Sequence, residues 1–514
     1  MKNLILLGCI QFVLSVSECQ CLKLSGIVKP ALQKVELNIP YDGHYYPINS
    51  LYQNANASGA FSFRIPGKQP KFVIFKYKTA QELLLLCPGR PLRICVSDNI
   101  KQQRFVYRGK GKVENELLRD LKVNDSLFFN KYKSNGTMYD KWSIDSVIRI
   151  LLPIVRRQLE GRIQLVKRSR LPLMIKNALE SELKYFYATQ CLLYGESLYQ
   201  YNGRKSKKEY YGVFTDTLLS YFNLPSKEDL MIGYSANIYL NDYTRYEIRK
   251  IMYNFHNDTN RAHAKIIIDS ILQGTSLDQI EKASSTFGEG FAFVTLFDRH
   301  ILPEYAWEKL MFNWLVYYCS VQDIGSAEQL QNCLENDFPT SQYLDLSQER
   351  IAVLRDLREK NSGNKNIVFR SDVITKGSLK SLMAPYIGKV VYLDIWGTWC
   401  GPCMTEMQFE ASLEGHFKGQ HVVFLFIDVD NDQFEDRWKN FVITNNLIGE
   451  HLRVPGSKIK DIWNDLGVSN AEQLYPYYCI FNTDGKVEVK DAYRPSTGKN
   501  LYDQISRVLN NHLN

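Results

Sequence analysis

The sequence predicts a multidomain protein in which a small β-sandwich and a large all-helical region precede a C-terminal α/β domain. Its 514 residues exceed what one hydrophobic core organises, because domains usually hold about 100 to 200 residues. The spacing of apolar residues changes near residue 113 and again near residue 366. With 45% hydrophobic and 23% charged residues, the composition is typical of a globular protein and excludes a disordered or collagen-like chain.

Short β-type runs define the first predicted domain, residues 18–112. Phe61–Ile65, Phe72–Phe75 and Leu92–Val96 are rich in aromatic and β-branched residues, and Gly, Pro and Asn turns separate them. Short strands bounded by turn residues at this spacing are typical of an all-β domain. We therefore expect a small β-sandwich here.

The second predicted domain, residues 113–360, has helical periodicity. Apolar residues recur at three- and four-residue spacing at Ile144, Val147, Ile148, Leu151, Val155 and Leu159, which predicts an amphipathic helix. We expect Pro153 to kink this helix. Ser226 is predicted to cap a helix, and Ser347 is predicted to cap the last helix of the region. No internal repeat is visible, so the region is predicted to be irregular and all-helical.

Strands and helices alternate in the third predicted domain, residues 361–514. The predicted strands cover residues 390–396, 421–429, 477–481 and 486–490. The predicted helices cover residues 400 to about 414, 432–445, 457–466 and the chain from about 497. This alternation predicts an α/β domain.

A Cys-Gly-Pro-Cys sequence follows the predicted strand Val390–Trp396 and opens a helix, which is the context of a redox pair. Backbone N–H groups and the helix dipole stabilise a thiolate at that position, so Cys400 is predicted to be the attacking sulfur. Cys403, one turn along, is placed to attack the mixed disulfide and release the reduced substrate. A zinc site is disfavoured because no further soft ligands lie nearby in the sequence. A permanent structural disulfide is the alternative.

The N-terminus predicts export. Lys2 precedes an apolar stretch, Leu4–Val16, that is too short to span a bilayer, and Ser15 and Ser17 supply the small residues of a cleavage site. We interpret residues 1–17 as a signal peptide and expect a periplasmic or cell-envelope location. A lipoprotein signal with Cys19 acylated is the alternative, although Glu18 occupies the position where a small residue is needed.

Leu393–Cys403, with the sequence LDIWGTWCGPC, resembles the active-site strand and turn of thioredoxin. With the predicted export, this region is most similar to the TlpA/ResA group of envelope thiol-disulfide oxidoreductases. The resemblance covers residues 361–514 and implies a thioredoxin-like fold, thiol-disulfide oxidoreductase activity and no cofactor. Residues 59–63 and 87–94 resemble the small all-β domain that opens many exported thioredoxin-like proteins of Bacteroidetes.

The resemblance implies roles for two acidic residues. Asp394 lies six residues before Cys400, where thioredoxins keep a buried acid that exchanges protons with the second cysteine. An Asp within so apolar a strand needs a partner or a task, and a hydrogen-bonded structural Asp is the alternative. Glu406 matches a glutamate of the TlpA/ResA group that is expected to tune the thiol pKa. The alternative is that Glu406 lies in the first helical turn only because the helix dipole favours an acidic residue there. Met407-Gln408 replaces the proline usual in the group.

Pro476 lies nine residues before Gly485, the spacing at which this family places its cis-proline. A cis bond would bring the backbone of Tyr475 beside the cysteines to pair with an extended substrate; a trans proline at a strand start is the alternative. Trp399 completes the expected substrate-binding set. Buried thiols are predicted at Cys87, Cys95, Cys319 and Cys333, with a structural disulfide within the Cys87–Cys95 or the Cys319–Cys333 pair as the alternative. Cys191 and Cys479 are predicted to be core thiols.

Charge and family resemblance indicate the partners. The formal charge of +8 arises from 63 basic and 55 acidic residues that are interleaved, so nucleic-acid binding is not expected. The resemblance implies protein thiols and disulfides as substrates and a membrane electron donor. Membrane contact is expected only if Cys19 is lipidated, and no metal is predicted. We expect a reductant of protein disulfides. The alternative is an envelope interaction protein in which the helical region captures partners and the redox site is secondary.

Overall fold

The computed structural model describes residues 21–97, 104–121, 144–201, 215–257, 270, 275, 277–287, 289–370, 378–431, 434–454, 459–469 and 473–512. The predicted signal peptide, residues 1–17, and Cys19 lie outside this part of the chain. Contacts divide the chain into two compact units, residues 1–250 and 251–514. Within the described residues, no helix combines the length and the apolar character needed to cross a membrane.

Eight strands open the first unit: β1 (Cys21–Lys29), β2 (Lys34–Asn38), β3 (Ser50–Asn54), β4 (Ala60–Pro66), β5 (Lys71–Tyr77), β6 (Ala80–Leu86), β7 (Leu92–Ser97) and β8 (Arg104–Arg108). They form two four-stranded sheets with the orders β4–β1–β7–β8 and β3–β2–β5–β6. Alternate residues of β1 and β4 are buried. Leu24 and Phe61 of one sheet share a core with Leu37 and Phe75 of the other. The predicted β-sandwich is confirmed.

The described helices of the first unit are α1 (Lys112–Asp120), α2 (Ile144–Arg168), α3 (Leu173–Tyr201), α4 (Thr215–Leu219), α5 (Lys227–Ile232) and α6 (Tyr234–Asn257), the last of which extends past residue 250. Helix α2 continues through Pro153. The predicted cap at Ser226 is confirmed: Asp229 N–H donates to Ser226 Oγ (3.2 Å), and Ser226 N–H donates to the Asp229 carboxylate (2.9 Å). Two N–H groups that the first turn leaves unpaired are thereby satisfied.

The described helices that precede the last sheet are α7 (Leu277–Phe287), α8 (Glu289–Ala292), α9 (Asp298–Ile301), α10 (Glu304–Ser320), α11 (Ile324–Asp337) and α12 (Leu344–Asn361). The prediction that Ser347 caps the last helix is wrong. Helix α12 begins three residues earlier, and the buried Ser347 hydroxyl donates to the carbonyl of Leu344 (2.8 Å). A hydroxyl bonded to the preceding turn belongs to the helix interior, not to its cap.

The second unit contains a six-stranded sheet made of β9 (Ile367–Arg370), β10 (Val390–Trp396), β11 (Val422–Asp428), β12 (Gly449–Arg453), β13 (Tyr477–Phe481) and β14 (Val487–Lys490). The strand order is β14–β13–β10–β11–β12–β9. Strands β10, β11, β12 and β9 are parallel, whereas β13 and β14 pair antiparallel. The predicted α/β domain is confirmed, although strands β9 and β12 were not predicted because they are short and partly polar.

Helices cover both faces of this sheet: α13 (Leu379–Met383), α14 (Gly401–Glu406), α15 (Glu410–Phe417), α16 (Glu435–Thr444), α17 (Ile459–Leu466) and α18 (Lys499–His512). A 3₁₀ turn, Met407–Phe409, divides the single helix predicted from residue 400 to about 414. Every residue of β10 is buried. Tyr392 and Trp396 face the core that contains the cysteine pair, whereas Leu393 and Ile395 face the opposite core.

Candidate active site

The cysteine pair lies where strand β10 gives way to helix α14. Cys400 is the N-cap residue of α14, and the Cys403 N–H donates to Cys400 Sγ at 3.2 Å. The two sulfurs are joined in a disulfide, with the Cα atoms 5.2 Å apart. A backbone N–H group of the first helical turn therefore points at Cys400 Sγ, an environment that favours a thiolate after reduction.

The two sulfurs differ in accessibility. Cys403 is fully buried, whereas Cys400 is 5% exposed. Trp399, the residue before Cys400, is 37% exposed. An incoming disulfide therefore reaches Cys400 before Cys403. The other described cysteines form no disulfide, and Cys479 is fully buried on β13. As predicted, Cys87, Cys191, Cys319 and Cys479 are buried free thiols. Cys95 and Cys333 are also free thiols, but they are only partly buried, so the prediction of burial is wrong for these two.

Trp399, Tyr475 and Pro476 lie together beside the cysteine pair. The rings of Trp399 and Tyr475 meet edge to face with centroids 5.2 Å apart. The Tyr475–Pro476 peptide bond is cis, as the sequence predicted, and strand β13 begins immediately after it. The neighbouring Leu474 is 69% exposed. These residues form a partly exposed apolar edge next to Cys400.

Asp394 is fully buried on the face of β10 that carries the cysteine core. It is paired in register with Tyr478 of β13, and within the described residues neither of its carboxylate oxygens accepts a hydrogen bond. Burial, together with the neighbouring carboxylates of Glu410 and Glu406, raises the pKa of Asp394 well above its usual value. The alternative of a hydrogen-bonded structural Asp is therefore not supported. Asp394 is a candidate proton carrier in the layer that holds Cys403.

Glu406 ends the short helix α14, so the interpretation of it as a first-turn acid is wrong. Its carboxylate accepts hydrogen bonds from the backbone N–H and the hydroxyl of Ser496, both at 2.9 Å. This pair joins α14 to the 3₁₀ turn Pro495–Thr497. The negative charge of Glu406 also contributes to the raised pKa of Asp394.

Glu410 was not predicted, yet it belongs to the same buried acidic cluster. It is 4% exposed, and its Oε1 has no hydrogen-bond partner among the described residues. Burial, with a contribution from Glu406, raises the pKa of Glu410 to about 8. The sequence carries a signal for it, because Glu410 falls on an apolar stripe that otherwise consists of Cys403, Met407, Leu413 and Phe417.

The turn between β10 and Cys400 is held by a further buried carboxylate, that of Asp430. Asp430 accepts hydrogen bonds from the N–H (3.1 Å) and the hydroxyl (2.6 Å) of Thr398, and Cys400 N–H donates to the carbonyl of Gly397 (3.0 Å). A side chain at Gly397 would meet Trp399 and Asp430 at 3.0 Å or less. The turn is therefore fixed by its polar contacts and by its lack of a side chain at Gly397. Within the described residues, no cluster of three or more His, Cys, Asp or Glu could hold a metal ion.

Comparison with known proteins agrees with this geometry. Residues 361–505 match the family model described as Redoxin. The thiol-disulfide oxidoreductase ResA of Bacillus anthracis is 34% identical over 121 residues, which cover 24% of this chain and 64% of that protein. ResA of Bacillus subtilis is 45% identical over 42 residues, covering 8% of this chain and 24% of that protein. The chain thus spans less than two thirds of the length of these relatives.

Solved structures of similar proteins cover a part of this chain. A putative thiol-disulfide oxidoreductase from Bacteroides vulgatus is 27% identical, covers 25% of this chain and 83% of its own, and has a TM-score of 0.21. StoA from Bacillus subtilis is 18% identical, with 23% and 83% covered and a TM-score of 0.18. The family match includes the cysteine pair and the strands and helices around it. Residues 361–505 thus form a domain with a thioredoxin-like fold that matches the Redoxin family model, and the chain is similar to the ResA thiol-disulfide oxidoreductases.

Proposed function

We propose that this protein is an envelope thiol-disulfide oxidoreductase that reduces protein disulfides by dithiol-disulfide exchange at Cys400 and Cys403. One observation carries the proposal: Cys400 caps α14 at the partly exposed edge near Trp399, while Cys403 is buried one turn further. This asymmetry suits an attacking and a resolving sulfur. The similarity of residues 361–505 to ResA proteins supports the same chemistry.

The proposed reaction has two exchange steps. The Cys400 thiolate attacks one sulfur of the substrate disulfide, which forms a mixed disulfide and expels the first substrate thiolate. Cys403 then loses its proton, and its thiolate attacks Cys400 Sγ. The mixed disulfide breaks, the second substrate thiolate leaves, and both released thiolates take up protons. Two electrons pass to the substrate, and the Cys400–Cys403 disulfide seen in the structure is the oxidised product.

We propose that the buried acidic cluster of Asp394, Glu406 and Glu410 accepts the proton that Cys403 loses. Asp394 faces the same core layer as Cys403, and its carboxylate oxygens are unpaired within the described residues. A carboxyl group with a raised pKa accepts a proton near neutral pH more effectively than an ordinary carboxylate does. Glu406, bonded to Ser496, and Glu410 modulate this acceptor through their charges.

The apolar edge beside Cys400 is the proposed substrate site. Trp399 and Tyr475 present aromatic surface, and the backbone before Pro476 is placed to pair with an extended chain. The Gly-Pro dipeptide between the cysteines is the one found in reducing thioredoxins, which supports the reducing direction. Such a reductase needs an electron donor to renew its dithiol, and we propose a membrane protein in that role.

A second function is favoured by the packing of the helical segment in the second unit. Tyr317 and Val321, at the end of α10, join the core that contains the cysteine pair. A helical segment so close to the redox site suits a protein that captures partners first and exchanges disulfides second. Partner capture that persists in a double Cys400→Ser, Cys403→Ser variant would favour this function, whereas loss of capture would favour the oxidoreductase.

We predict opposite phenotypes for the two single cysteine variants. Cys400→Ser abolishes exchange, because the buried Cys403 cannot start it, while Cys403→Ser accumulates mixed disulfides that it cannot resolve. Non-reducing gels and mass spectrometry of substrate-treated protein measure the adducts. Cys95→Ser is the matched control, since that free thiol is only partly buried and lies on β7 of the β-sandwich, and it should behave as the wild type. Adducts on Cys400→Ser but not on Cys403→Ser would reverse the assignment.

Asp394→Asn is expected to slow resolution more than attack. An Asn cannot accept the proton of Cys403, and general-base assistance is worth about 10² to 10⁴-fold in rate. Stopped-flow measurement of mixed-disulfide decay between about pH 5 and 9 checks this. Decay profiles that coincide for the folded variant and the wild type would make Asp394 a purely structural residue.

The raised pKa of Glu410 predicts the pH dependence of stability. A folded-state pKa of about 8 means that the folded protein holds a proton that the unfolded chain has lost. The contribution of Glu410 to the free energy of unfolding is therefore largest below about pH 4.5 and is lost as pH rises through about 8. It amounts to about 1.4 kcal/mol per unit of difference between the folded-state and unfolded-state pKa values. Glu410→Gln should therefore lose less stability between pH 5 and 8. Urea unfolding of the oxidised proteins measures this, with the exposed Glu359→Gln as control. Equal pH dependence in Glu410→Gln and wild type would contradict the assignment.

Export predicts a mature protein that lacks its first 17 or 18 residues, because the apolar stretch and the small residues after it form a cleavable signal. Mass spectrometry of the protein from its native host measures the N-terminus. An intact Met1 would contradict export, and a diacylglycerol adduct on Cys19 would establish the lipoprotein alternative instead.

A further inference from the structure

The backbone of Thr398, two residues before Cys400, is bound on both sides by buried charged groups. Its N–H and hydroxyl donate to Asp430, as described above, and its carbonyl accepts a hydrogen bond from Nη2 of Arg437 on α16 at 2.9 Å. Thr398 and Asp430 are each 1% exposed, and Arg437 is 8% exposed. The conformation of the redox turn therefore depends on the position of one guanidinium group.

That guanidinium group is bonded to the helical segment before the sheet. Arg437 Nη2 also donates to Asp323 Oδ2 at 2.7 Å, and Nη1 donates to the carbonyl of Thr286. Asp323 is itself fixed, because it caps α11 by accepting from the N–H (3.2 Å) and the hydroxyl (2.6 Å) of Ser326. The Arg437 and Asp323 side chains are 6% and 1% exposed. Breaking such a pair by removing one partner leaves an uncompensated buried charge.

Apolar contacts reinforce the polar bridge. Val321 and Tyr317, at the end of α10, pack into the core that includes Cys400 and Cys403. A Cβ atom placed on Gly401 would lie 3.1 Å from the Tyr317 hydroxyl. The last turn of α10 therefore lies close to the first residue of the redox helix α14.

We propose that Arg437 and Asp323 are positioning residues for Cys400. Their bridge holds the carbonyl of Thr398, and through the turn 397–399 it sets the alignment of Cys400 Sγ with the N–H groups of α14. The helical hairpin α10–α11 is thus a structural part of the redox site. The proposal deepens the proposed oxidoreductase function and rests on it for its biological meaning, but the reactivity of Cys400 can be measured separately.

A positioning role and a purely electrostatic role predict different signs for one variant. If Asp323 acted on Cys400 only through its charge, its removal would stabilise the thiolate and lower the Cys400 pKa. If the bridge positions the turn, its loss misaligns the N–H groups of α14, and the Cys400 pKa rises. Asp323→Ser separates the two, because Ser preserves the cap of α11 but has no carboxylate to bind Arg437.

The experiment measures iodoacetamide alkylation of Cys400 as a function of pH in the reduced full chain, with peptide mass spectrometry to assign the site. We expect Asp323→Ser and Arg437→Lys both to raise the midpoint pH by about one unit, which lowers the thiolate fraction below the midpoint about tenfold. Lys439→Gln is the matched control: Lys439 lies on the same helix and pairs with Glu435 at the surface, and its profile should equal that of the wild type.

An unchanged or lowered midpoint in Asp323→Ser would overturn the proposal. If Asp323→Ser fails to fold, Arg437→Lys decides: this variant keeps the charge but has one nitrogen in place of the guanidinium fork, so a wild-type profile in the folded protein would also overturn the proposal. The two failures are distinguishable. Loss of disulfide exchange in the wild type would contradict the proposed function, whereas the alkylation profiles test the positioning of Cys400 alone.

Discussion

The redox site depends on the complete burial of strand β10. Because both faces of the strand are covered, its alternating side chains divide into two cores, and Asp394 lies on the face that carries the cysteines. The strand ends at Trp396, and the next residues must turn sharply before α14 begins. Cys400 therefore becomes the cap of that helix. The position of the Cys400 sulfur follows from the end of a buried strand, not from contacts of the cysteine itself.

The burial of charged groups around the junction of β10 and α14 is the main free-energy cost of the site. Transfer of an unpaired carboxylate from water to the interior costs several kcal/mol unless the group takes up a proton. Burial raises the pKa values of Asp394 and Glu410, and a carboxyl group with a raised pKa suits the proposed proton transfer. Arg437 and Asp323 instead form a buried ion pair. The same low-dielectric environment thus accounts both for the proposed proton carrier, Asp394, and for the bridge that we propose to position the turn.

Local patterns predicted much of this arrangement. Short stretches of sequence predict four of its features: the apolar run of β10, the cysteine spacing, the cap at Ser226 and the position of Pro476. Strands β9 and β12 were missed because they gain stability from pairing in the sheet rather than from an apolar pattern of their own. Glu410 was missed, although it lies on an apolar stripe, because a glutamate is ordinarily solvent-exposed and only the packing of the sheet against α15 buries it. The Arg437–Asp323 bridge joins residues 114 positions apart, a separation that no local pattern reveals, and it crosses the domain boundary that periodicity places near residue 360.

The central claim is that Cys400 and Cys403 cycle between dithiol and disulfide. The most direct test is a redox titration of the full chain in thiol-disulfide buffers, with the oxidation state of the pair read by alkylation and mass spectrometry. We predict one two-electron transition, about 30 mV per tenfold change in ratio, at a potential between about −270 and −120 mV, the range spanned by thioredoxin and a strong periplasmic oxidant. A pair that stays oxidised below about −300 mV would be a structural disulfide and would contradict the account.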